Sequence, residues 1–474
     1  MSSGPKKQLP VLDVPVGSLN SDGSRNFVHP ADVRGRFQRV RWVVFAALMV
    51  VYVALPFIRI GGEPAVFLDI VRRRFYLFGA TFNAQDFWMV FLLLFGILLA
   101  LVIVTTLWGR IWCGYACPQT VFLEGIYRQV ERRIEGPRNV RLRRNAGPWR
   151  WDKVWRKVLK HGLFLFASFL IAHVFLSYFV SLPSLWTMMG GSPADHPVAF
   201  AWSMGMTLVL YLNFAWFREQ LCLIVCPYGR LQSALTDEDT MVIGYDVGRG
   251  EPRGKIKKQQ TGERGDCIDC HRCVVVCPTG IDIRNGLQME CIGCAACVDA
   301  CDEIMEKVDR PKGLIRYDSQ RGLRGDEKRS TRGRLVLYGI AVLAWAVGMI
   351  FAFQTHEPFE ANLLRPPGGT PFVVSDGVVQ NTLQVHLVNK ADESQTYVLE
   401  AQGDDVALVL PQPEVTLEPG ADRHVVVLAR VPEAEMRAGL KARVEVRLEG
   451  GSEEERVTLE APVLGPVAGV GGDQ

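Results

Sequence analysis

The stretch FWMVFLLLFGILLALVIVTTLWGRIWCGYACP, residues 87–118, decides the class of this fold. Residues 87–109 contain no Asp, Glu, Lys or Arg, and a helix of that length can cross the ~30 Å hydrocarbon layer of a bilayer. Four other runs are equally free of charge: 42–58, 161–186, 197–217 and 335–355. A single buried helix could lack charge, but five such runs in one chain predict an integral membrane protein with five spans.

Basic residues predict how the spans are oriented. Segment 110–160 carries thirteen Lys and Arg, whereas 182–199 carries none. Short loops rich in Lys and Arg stay in the cytoplasm. We therefore expect 110–160, the N-terminal tail and 219–334 to be cytoplasmic, and 356–474 to lie outside. The net charge of +3 is small, and no nucleic-acid partner is expected.

All twelve cysteines lie between Cys113 and Cys301, on the side that is predicted to be cytoplasmic. Reducing compartments favour metal thiolates over disulfides, so we interpret the cysteines as ligands. Eight of them form CIDCHRCVVVCP at 267–278 and CIGCAACVDAC at 291–301. This is the spacing of two-cluster ferredoxins, in which the fourth cysteine of each run ligates the other cluster. It predicts two [4Fe–4S] clusters, one on Cys267, Cys270, Cys273 and Cys301, the other on Cys291, Cys294, Cys297 and Cys277.

A pair of zinc sites is the alternative for these runs, but zinc motifs usually present two separated Cys or His pairs. Two departures from the ferredoxin pattern concern the cross-ligation more than the clusters themselves. Asp302 stands where the bacterial pattern has proline, and the linker 278–290 has only thirteen residues. His271, between two ligands, is expected to be a solvent-exposed residue without a role.

The remaining four cysteines form two C-x3-C-P motifs, Cys113/Cys117 and Cys222/Cys226, each directly behind an apolar run. Positions i and i+4 share one helix face, and the proline is expected to end or kink that helix. Segments 41–118 and 160–227 therefore look like an internal repeat, and related halves often build a site at their interface. Four converging thiolates suit Cu(I), zinc or a further cluster, and the spacing does not choose among them.

Polar and sulfur-containing residues within or near the spans are weaker candidates. His173 lies in the third span and Asn213 in the fourth; each could serve a metal or quinone, or bond a neighbouring helix. Four methionines lie near the end predicted to face outward: Met188, Met189, Met204 and Met206. Thioethers suit Cu(I), but methionine at helical spacing is more often a packing residue, which is the expectation here.

Beyond the last span the pattern changes to short alternating stretches such as TLQVHLVNK, HVVVLARV and ARVEVRLEG. Strands of this length, separated by turns such as LEPGAD, predict an antiparallel β-sandwich of about a hundred residues. His386 and His424 are expected to be isolated surface residues. The sandwich shows no catalytic pattern, and we expect it to bind or position a partner.

The joint arrangement resembles the cytochrome c oxidase accessory protein family, whose members are called CcoG, FixG or RdxA. The features that carry the resemblance are the two C-x3-C-P motifs, the two-cluster insert, one further span and the sandwich, which the resemblance implies is immunoglobulin-like. It implies a multi-pass protein of the bacterial inner membrane that reduces Cu(II) to Cu(I) for assembly of cbb3-type oxidase. The four motif cysteines would then handle copper and act as the catalytic residues of a cupric reductase.

Two other functions stay open at this point. One is a quinone-linked membrane ferredoxin of a respiratory chain, because related polyferredoxin subunits share these motifs. The other is a redox-sensing assembly scaffold whose sandwich grips oxidase subunits. The chain has no nucleotide- or flavin-binding G-x-G-x-x-G fingerprint, so a separate cytoplasmic electron donor is expected. Oxidase assembly factors or copper chaperones are expected partners, and a homo-oligomer is left open.

These inferences divide the chain into five predicted parts, in a multi-domain membrane protein that combines a helical part, a ferredoxin-like domain and a β-sandwich. The parts are a cytoplasmic tail at 1–41, a four-helix membrane region at 42–226, a cytoplasmic two-cluster domain at 227–333, a fifth transmembrane helix at 334–355 and a periplasmic immunoglobulin-like domain at 356–474.

Overall fold

The computed structural model describes residues 27–70, 74–82, 87–255, 264–326, 333–354, 359–366, 368, 370–391, 393–403, 405–437, 439–450 and 456–466. Most of the predicted tail, residues 1–26, lies outside the described residues. The chain divides into two compact units, and each is described by itself. The first unit comprises Met1–Ile70 and Val90–Ala346, and the second comprises Val71–Met89 and Val347–Gln474.

The five predicted spans correspond to five helices that are long and apolar enough to cross a membrane. They are α1 (Arg36–Ala54), α2 (Phe87–Trp108), α7 (Trp151–Leu176), α9 (Pro197–Leu212) and α15 (Gly333–Gln354). A π-helical turn at Asn213–Phe217 continues α9. The prediction of a membrane protein with five candidate spans is confirmed.

Shorter helices connect the long ones and surround the cysteines. They are α3 (Ile111–Tyr115), α4 (Pro118–Phe122), α5 (Arg128–Glu135), α6 (Arg138–Ala146), α8 (Leu182–Gly190), α10 (Pro227–Leu235), α11 (Val247–Gly250), α12 (Arg272–Val275), α13 (Ala296–Lys307) and α14 (Gln320–Arg324). Further π-helical turns span Leu123–Tyr127 and Leu221–Val225, and 3-10 turns span Ile283–Asn285 and Glu433–Glu435.

The third span differs most from its predicted position, because α7 begins ten residues before 161 and ends ten before 186. Lys153 and Lys160 belong to the helix and are buried. They are accommodated because their charges have partners; Lys160 Nζ, for example, lies 3.2 Å from Glu135. At the other end the chain turns after Leu176, and Pro183 lies in the first turn of α8, the helix position at which proline fits without losing a hydrogen bond.

Aromatic rings form the core between the long helices of the first unit. Tyr127 stacks on Phe214 with ring centroids 4.4 Å apart and meets the edge of Phe164 at 5.0 Å. The fifth helix, α15, packs on α2, where the Trp345 indole N–H donates to the Leu92 carbonyl at 2.8 Å. Gly96 permits this approach, since a Cβ at that position would overlap the indole ring.

The segment that carries the eight ferredoxin-type cysteines is built on two antiparallel strands, β6 (Val242–Tyr245) and β7 (Ile315–Asp318). Ile243, Ile315 and Met305 of α13 pack with Cys267 and Cys273 in its core. The carboxylate of Asp299 on α13 accepts the backbone N–H groups of Phe37 and Gln38 at 3.2 and 2.8 Å. The first turn of α1 is therefore capped by the ferredoxin-like segment.

The C-terminal part of the second unit is a β-sandwich, as predicted. One sheet has the order β12-β14-β10-β8 with β9 on β10, and the other has the order β13-β11-β15-β16. The strands are β8 (Phe359–Leu364), β9 (Val373–Ser375), β10 (Val378–Asn389), β11 (Gln395–Gln402), β12 (Ala407–Val409), β13 (Glu414–Leu417), β14 (Asp422–Pro432), β15 (Lys441–Leu448) and β16 (Arg456–Pro462). Alternate residues of β10 and β14 point into the core, where Leu383 lies opposite Val427.

Among the described residues, five short strands precede α2. The first unit contains β1 (Arg59–Ile60), β2 (Glu63–Pro64) and β3 (Val66–Asp69), of which β1 and β2 form an antiparallel pair. The second unit contains β4 (Arg74–Leu77) and β5 (Ala80–Phe82), also paired antiparallel. The sequence pattern had predicted only a loop between the first two spans.

Candidate redox and metal centre

The two C-x3-C-P motifs, although more than a hundred residues apart in sequence, bring their four thiols together. The thiols of the two motifs are close enough to influence one another electrostatically. Cys226 acts on Cys113, and both Cys113 and Cys117 act on Cys222. We call these four residues the membrane-edge thiols. The convergence that the internal repeat predicted is therefore present in the fold.

The local geometry of the motifs differs from the predicted one. The first cysteine of each motif lies in a helical turn, in α3 for Cys113 and in the turn Leu221–Val225 for Cys222. The second cysteine is the extended N-cap of a new helix, α4 or α10. The proline that follows starts this helix and does not end one, because its fixed φ and missing N–H suit the first helical position. The prediction of one continuous face was therefore wrong.

Polar groups contact the sulfurs of the first motif. Cys117 accepts the backbone N–H groups of Gln119 and Thr120 at the start of α4, which lowers its thiol pKa, but burial dominates and raises that pKa. Burial raises the pKa of Cys113 to about 11 against the opposing effect of a hydrogen bond from Gln232. Gln232, which is fully buried on α10, donates its amide N–H to Cys113 Sγ at 3.4 Å. It therefore links the helix of the second motif to the first.

The two ferredoxin-type runs share one backbone conformation. In each run the residues on both sides of the second cysteine have positive φ: Asp269 and His271 around Cys270, and Gly293 and Ala295 around Cys294. Three of these four residues are not glycine, and left-handed backbone is uncommon and costly for such residues. The same costly conformation at equivalent positions indicates that both loops are shaped for the same ligand.

The grouping of the eight thiols follows the cross-over pattern expected of two clusters. Burial raises the pKa of Cys301 to about 12, and the thiols of Cys270 and Cys267 add to the rise. Burial likewise raises the pKa of Cys291 to about 12, with contributions from Cys294 and Cys277. The fourth cysteine of each run therefore lies with the first three of the other run.

Sulfur separations limit what each group of four thiols can bind. Among the described residues, which include all twelve cysteines, no three thiols have their sulfur atoms within 4.8 Å of one another. A single zinc ion with Zn–S bonds of ~2.3 Å draws its thiolates closer than that. No three of the eight ferredoxin-type thiols are therefore placed for a single zinc ion, whereas their spacing in the chain is that of two-cluster ferredoxins.

The first C-x3-C-P motif is in direct backbone contact with the second ferredoxin-type run. A Cβ added to Gly114 would lie 2.7 Å from the Ile292 carbonyl oxygen and 3.0 Å from the Cys294 backbone nitrogen. Cys113 packs on the cluster of buried residues that includes Ile292 and Cys294. Only a residue without a side chain allows this approach between a membrane-edge cysteine and a cluster ligand.

Arg110 joins three segments at this contact. Its guanidinium donates to the Gly229 carbonyl at 2.6 Å and to the Met289 carbonyl. Gly229 follows the second motif, and Met289 precedes Cys291 in the second run. Arg110 itself precedes Cys113, so one side chain positions both motifs and the second run.

A buried ionic network joins α5 to the segment just before the second motif. Glu131 pairs with Arg218 and, at 3.3 Å, with Arg141. Burial alone would raise the pKa of Glu131, but Arg218, with Lys160 and Arg141, outweighs burial and lowers that pKa to about 2. Glu131 follows the first motif and Arg218 precedes the second, so the ion pair ties the two halves of the repeat together.

Sequence reasoning did not find Arg110, Gly114, Gln232 or the Glu131–Arg218 pair. In a single sequence, charged residues beside an apolar run indicate only topology, and nothing in the pattern marks Gln232. The prediction for His271 was wrong: it is half-buried, and its Nδ1 accepts a hydrogen bond from Arg284 at 2.8 Å. Arg284 also bonds Asp269 at 2.6 Å, so it fastens both left-handed positions of the first loop.

Other predicted candidates lie away from the thiols or have structural partners. Asn213 exchanges two amide hydrogen bonds with Gln119, at 2.8 and 3.3 Å, which joins the fourth span to the first motif. His386 and His424 are not isolated: they lie opposite each other on β10 and β14 with ring centroids 4.4 Å apart. With Asp422 they place three ligand atoms within 4.8 Å of one another, a spacing that can hold a cation.

Comparison with known families agrees with this architecture. Residues 217–320 match the profile of a 4Fe-4S dicluster domain, and residues 89–137 match that of a 4Fe-4S binding domain. Residues 349–466 match the immunoglobulin-like fold at the C-terminus of FixG. The predicted combination of membrane helices, iron–sulfur segments and an immunoglobulin-like sandwich is confirmed.

Whole-chain relatives cover most of the sequence. "Protein RdxA" of Cereibacter sphaeroides is 37% identical over 395 residues, which are 80% of this chain and 83% of the relative. "Nitrogen fixation protein FixG" of Rhizobium meliloti is 36% identical over 419 residues, 80% of each chain. A crystal structure of a FixG-related protein from Vibrio parahaemolyticus covers 22% of this chain and 94% of its own at 18% identity, with a TM-score of 0.18, which is too low to compare folds. The identity to the curated relatives and the matched domains place this chain in the FixG/RdxA family, as a membrane iron–sulfur redox protein.

Proposed function

We propose that this protein carries electrons from a cytoplasmic donor to copper and reduces Cu(II) to Cu(I) at the membrane-edge thiols, for assembly of a cbb3-type oxidase in a bacterial inner membrane. Each copper ion gains one electron and the donor loses one, so the reaction needs no other oxidant or reductant. The observation that carries the proposal is the backbone contact of Gly114 with the Cys294 loop. This contact places the first C-x3-C-P motif, a candidate site for a soft metal ion, against the backbone of Cys294, a candidate cluster ligand.

The eight cysteines at 267–301 are proposed to hold two [4Fe–4S] clusters, grouped as their thiols lie in the fold. Such clusters, when bound, supply single electrons at potentials that are often strongly reducing. Cys270 is the one exposed cysteine of the twelve, and its loop is therefore the proposed docking side for the donor. Cys294 is buried against the first motif, and its loop is the proposed exit towards copper.

The membrane-edge thiols suit the product of the reaction better than the substrate. Thiolates are soft ligands that prefer Cu(I), whereas Cu(II) prefers nitrogen and oxygen ligands in tetragonal geometry. Burial raises the pKa of Cys222 to about 12 and that of Cys113 to about 11, so these two thiols are protonated at neutral pH when no metal is bound. Each thiol that binds copper must release its proton, and copper binding is therefore coupled to proton release.

A further iron–sulfur cluster is the second candidate for these four thiols. Residues 89–137 match a 4Fe-4S binding domain, and the cysteines within that stretch are Cys113 and Cys117. In that case the membrane-edge thiols would extend the electron path, and copper would be reduced beyond them or not at all.

The experiment is an anaerobic reduction assay on the full-length protein in detergent. The protein is reduced, freed of excess reductant and mixed with Cu(II) and a chromophoric Cu(I) chelator. It is compared with a variant that carries serine at Cys113, Cys117, Cys222 and Cys226. We expect Cu(I) from the parent and little from the variant. Equal yields would remove the thiols from the proposal, and no Cu(I) from either protein would favour a quinone-linked function.

Iron content decides between copper and a third cluster at the same thiols. Two clusters contain eight iron atoms per chain and three contain twelve. If copper is the ligand, the parent and the four-serine variant contain the same eight irons. A loss of four irons in the variant, with an unchanged signal from the other clusters, would assign the membrane-edge thiols to a third cluster.

A further inference from the structure

A second metal-binding candidate lies at the far end of the helix pair that leads to the second motif. A cavity of about 180 Å³ is enclosed by the end of α7, by α8, by the loop at 191–196 and by the start of α9. Ser203 of this cavity precedes Cys222 by nineteen residues of mostly helical chain, on the order of 30 Å at 1.5 Å per residue. The cavity is therefore remote from the membrane-edge thiols.

The lining of this cavity is unusual in composition. Five of its fourteen residues are methionine or histidine: Met188, Met189, Met204, His173 and His196. The whole chain has twelve methionines and eight histidines. A quarter of each type therefore lines one cavity, whereas fourteen residues taken at random would include fewer than one on average.

His173 is oriented in the way typical of a metal-binding histidine. Its Nδ1 lies 2.8 Å from the Phe169 carbonyl oxygen, which can only accept, so Nδ1 carries the proton and donates it. In the neutral imidazole this leaves Nε2 as the acceptor, and Nε2 lies 3.1 Å from the hydroxyl of Ser203, another residue of the cavity lining. Histidines that bind metals usually have the second nitrogen fixed by such a carbonyl.

The donor set favours a soft monovalent cation. The described lining residues include thioethers and imidazoles but no carboxylate and no thiol. Thioethers select Cu(I), and imidazole also binds copper, whereas hard cations prefer carboxylate and carbonyl oxygen. A cavity of about 180 Å³ has room for a single ion.

We infer that this cavity is a Cu(I) site, with His173, Met188 and Met204 as ligands and the more exposed Met189 and His196 at its mouth. The site would hold copper without oxidising or reducing it. It does not depend on the reduction proposed above, because binding at the cavity requires no electron from the clusters. It gives a role to the sulfur residues that were predicted to be packing residues.

The test uses the full-length protein with its clusters, in detergent and without oxygen, carrying serine at the four membrane-edge cysteines to remove competing thiols. Cu(I) is supplied from its complex with a chromophoric chelator, and the copper that the protein withdraws is measured. We expect one Cu(I) per chain, with sulfur and nitrogen neighbours in its X-ray absorption spectrum. Met188→Leu and Met204→Leu should each weaken binding at least about tenfold, since a thioether ligand is lost at nearly constant volume.

Met206→Leu is the matched control, because it is the same substitution two residues along α9 at a position outside the described lining. It should leave Cu(I) binding unchanged. Binding that is absent in the parent of this series, or that falls equally in Met206→Leu, would overturn the inference. The inference would also be overturned if the parent takes up no Cu(I) but binds a short-chain quinone, and Met204→Leu abolishes that quinone binding. The reduction assay depends on the four membrane-edge cysteines, and the protein used here lacks them. The result for the cavity is therefore independent of the result for copper reduction.

Discussion

The two C-x3-C-P motifs have the same cysteine spacing and the same proline-initiated helix, but their surroundings differ. The first motif lies against the second ferredoxin-type run through Gly114, and Cys113 is bonded by the buried Gln232. The second motif begins within a π-helical turn, and the carbonyl of Gly229, just beyond this motif, accepts a hydrogen bond from Arg110 of the first half. The duplicated motifs therefore have different neighbours: the first lies against the second ferredoxin-type run, and the second completes the set of four thiols.

This asymmetry means that substitutions around the two motifs should not be equivalent. One substitution should weaken the ion pair between the two halves, and two should weaken the contact of the first motif with the second ferredoxin-type run. The last should affect a single sulfur. The four substitutions below are ordered from the largest expected effect to the smallest.

Glu131→Gln should break the tie between the halves. Removing one partner of a buried ion pair leaves the other charges uncompensated and costs about 3–5 kcal/mol in the free energy of unfolding. Because the pKa of Glu131 is lowered to about 2 from its ordinary 4.5, the stabilisation is fully present above pH 4.5 and is lost as pH falls towards 2. Thermal unfolding in detergent at neutral pH measures the effect. Asp152→Asn is the control, since that exposed carboxylate pairs with Arg156 and its loss should leave the melting temperature nearly unchanged.

Arg110→Gln should loosen both motifs from the second run. Hydrogen bonds from a charged donor contribute about 1.5–3 kcal/mol. Glutamine is shorter and uncharged, and it cannot donate to both carbonyls as the guanidinium does. We expect slower Cu(I) production by about tenfold and a lower melting temperature with unchanged iron content. Arg39→Gln, at an exposed arginine of α1, is the control. A normal rate in Arg110→Gln would mean that the contact holds without this side chain.

Gly114→Ala should test the contact itself without touching a ligand. The added methyl meets backbone atoms, which cannot move aside as a flexible side chain can. Overpacking costs about 1–3 kcal/mol, and we expect Cu(I) production to fall about tenfold, which corresponds to about 1.4 kcal/mol. Gly205→Ala is the control because a Cβ there meets nothing within 4 Å. Equal rates in both variants would contradict an electron path through this contact.

Gln232→Leu should affect one sulfur only. The lost hydrogen bond to Cys113 is neutral and corresponds to about 1 kcal/mol, or about fivefold in the Cu(I) affinity of the membrane-edge thiols. Competition with a chromophoric chelator measures this affinity. The exposed neighbour Ser233→Ala should leave it unchanged, and an equal loss in both variants would argue against a specific contact with the sulfur.

The fold was predictable where a chemical pattern repeats over a fixed interval. Charge-free runs predicted the five spans, alternation predicted the sandwich, and cysteine spacing predicted the ferredoxin-type pairing, since each reflects a constraint on consecutive residues. The start of α7 was not predictable, because burial of Lys160 depends on carboxylates of α5, and burial of Lys153 depends on the backbone carbonyls of Asn145 and Gly147. Likewise, the repeat predicted that the thiols converge, but it could not reveal which motif contacts the clusters.

The site residues that sequence reasoning missed act through the backbone or through distant partners. Gly114 matters because the Ile292–Cys294 backbone lies against it. Arg110 matters because its guanidinium bonds the carbonyls of Gly229 and Met289, which tertiary structure brings together. Neither residue type carries a chemical signature in a single sequence. His386 and His424 were missed for the same reason, since strand pairing and not sequence spacing makes them neighbours.

The cap that Asp299 places on α1 has a consequence for biogenesis. Phe37 and the carboxylate that accepts its N–H are 262 residues apart in sequence. During synthesis the first membrane helix therefore emerges long before its N-terminal cap exists, and its free N–H groups must be satisfied by water at the membrane surface. The cap forms only after the ferredoxin-type segment has been translated and folded. Helix α1 is therefore synthesised early, but the hydrogen bonds of its first turn are completed late. Protection of the Phe37 and Gln38 N–H groups would indicate that the iron–sulfur segment has folded.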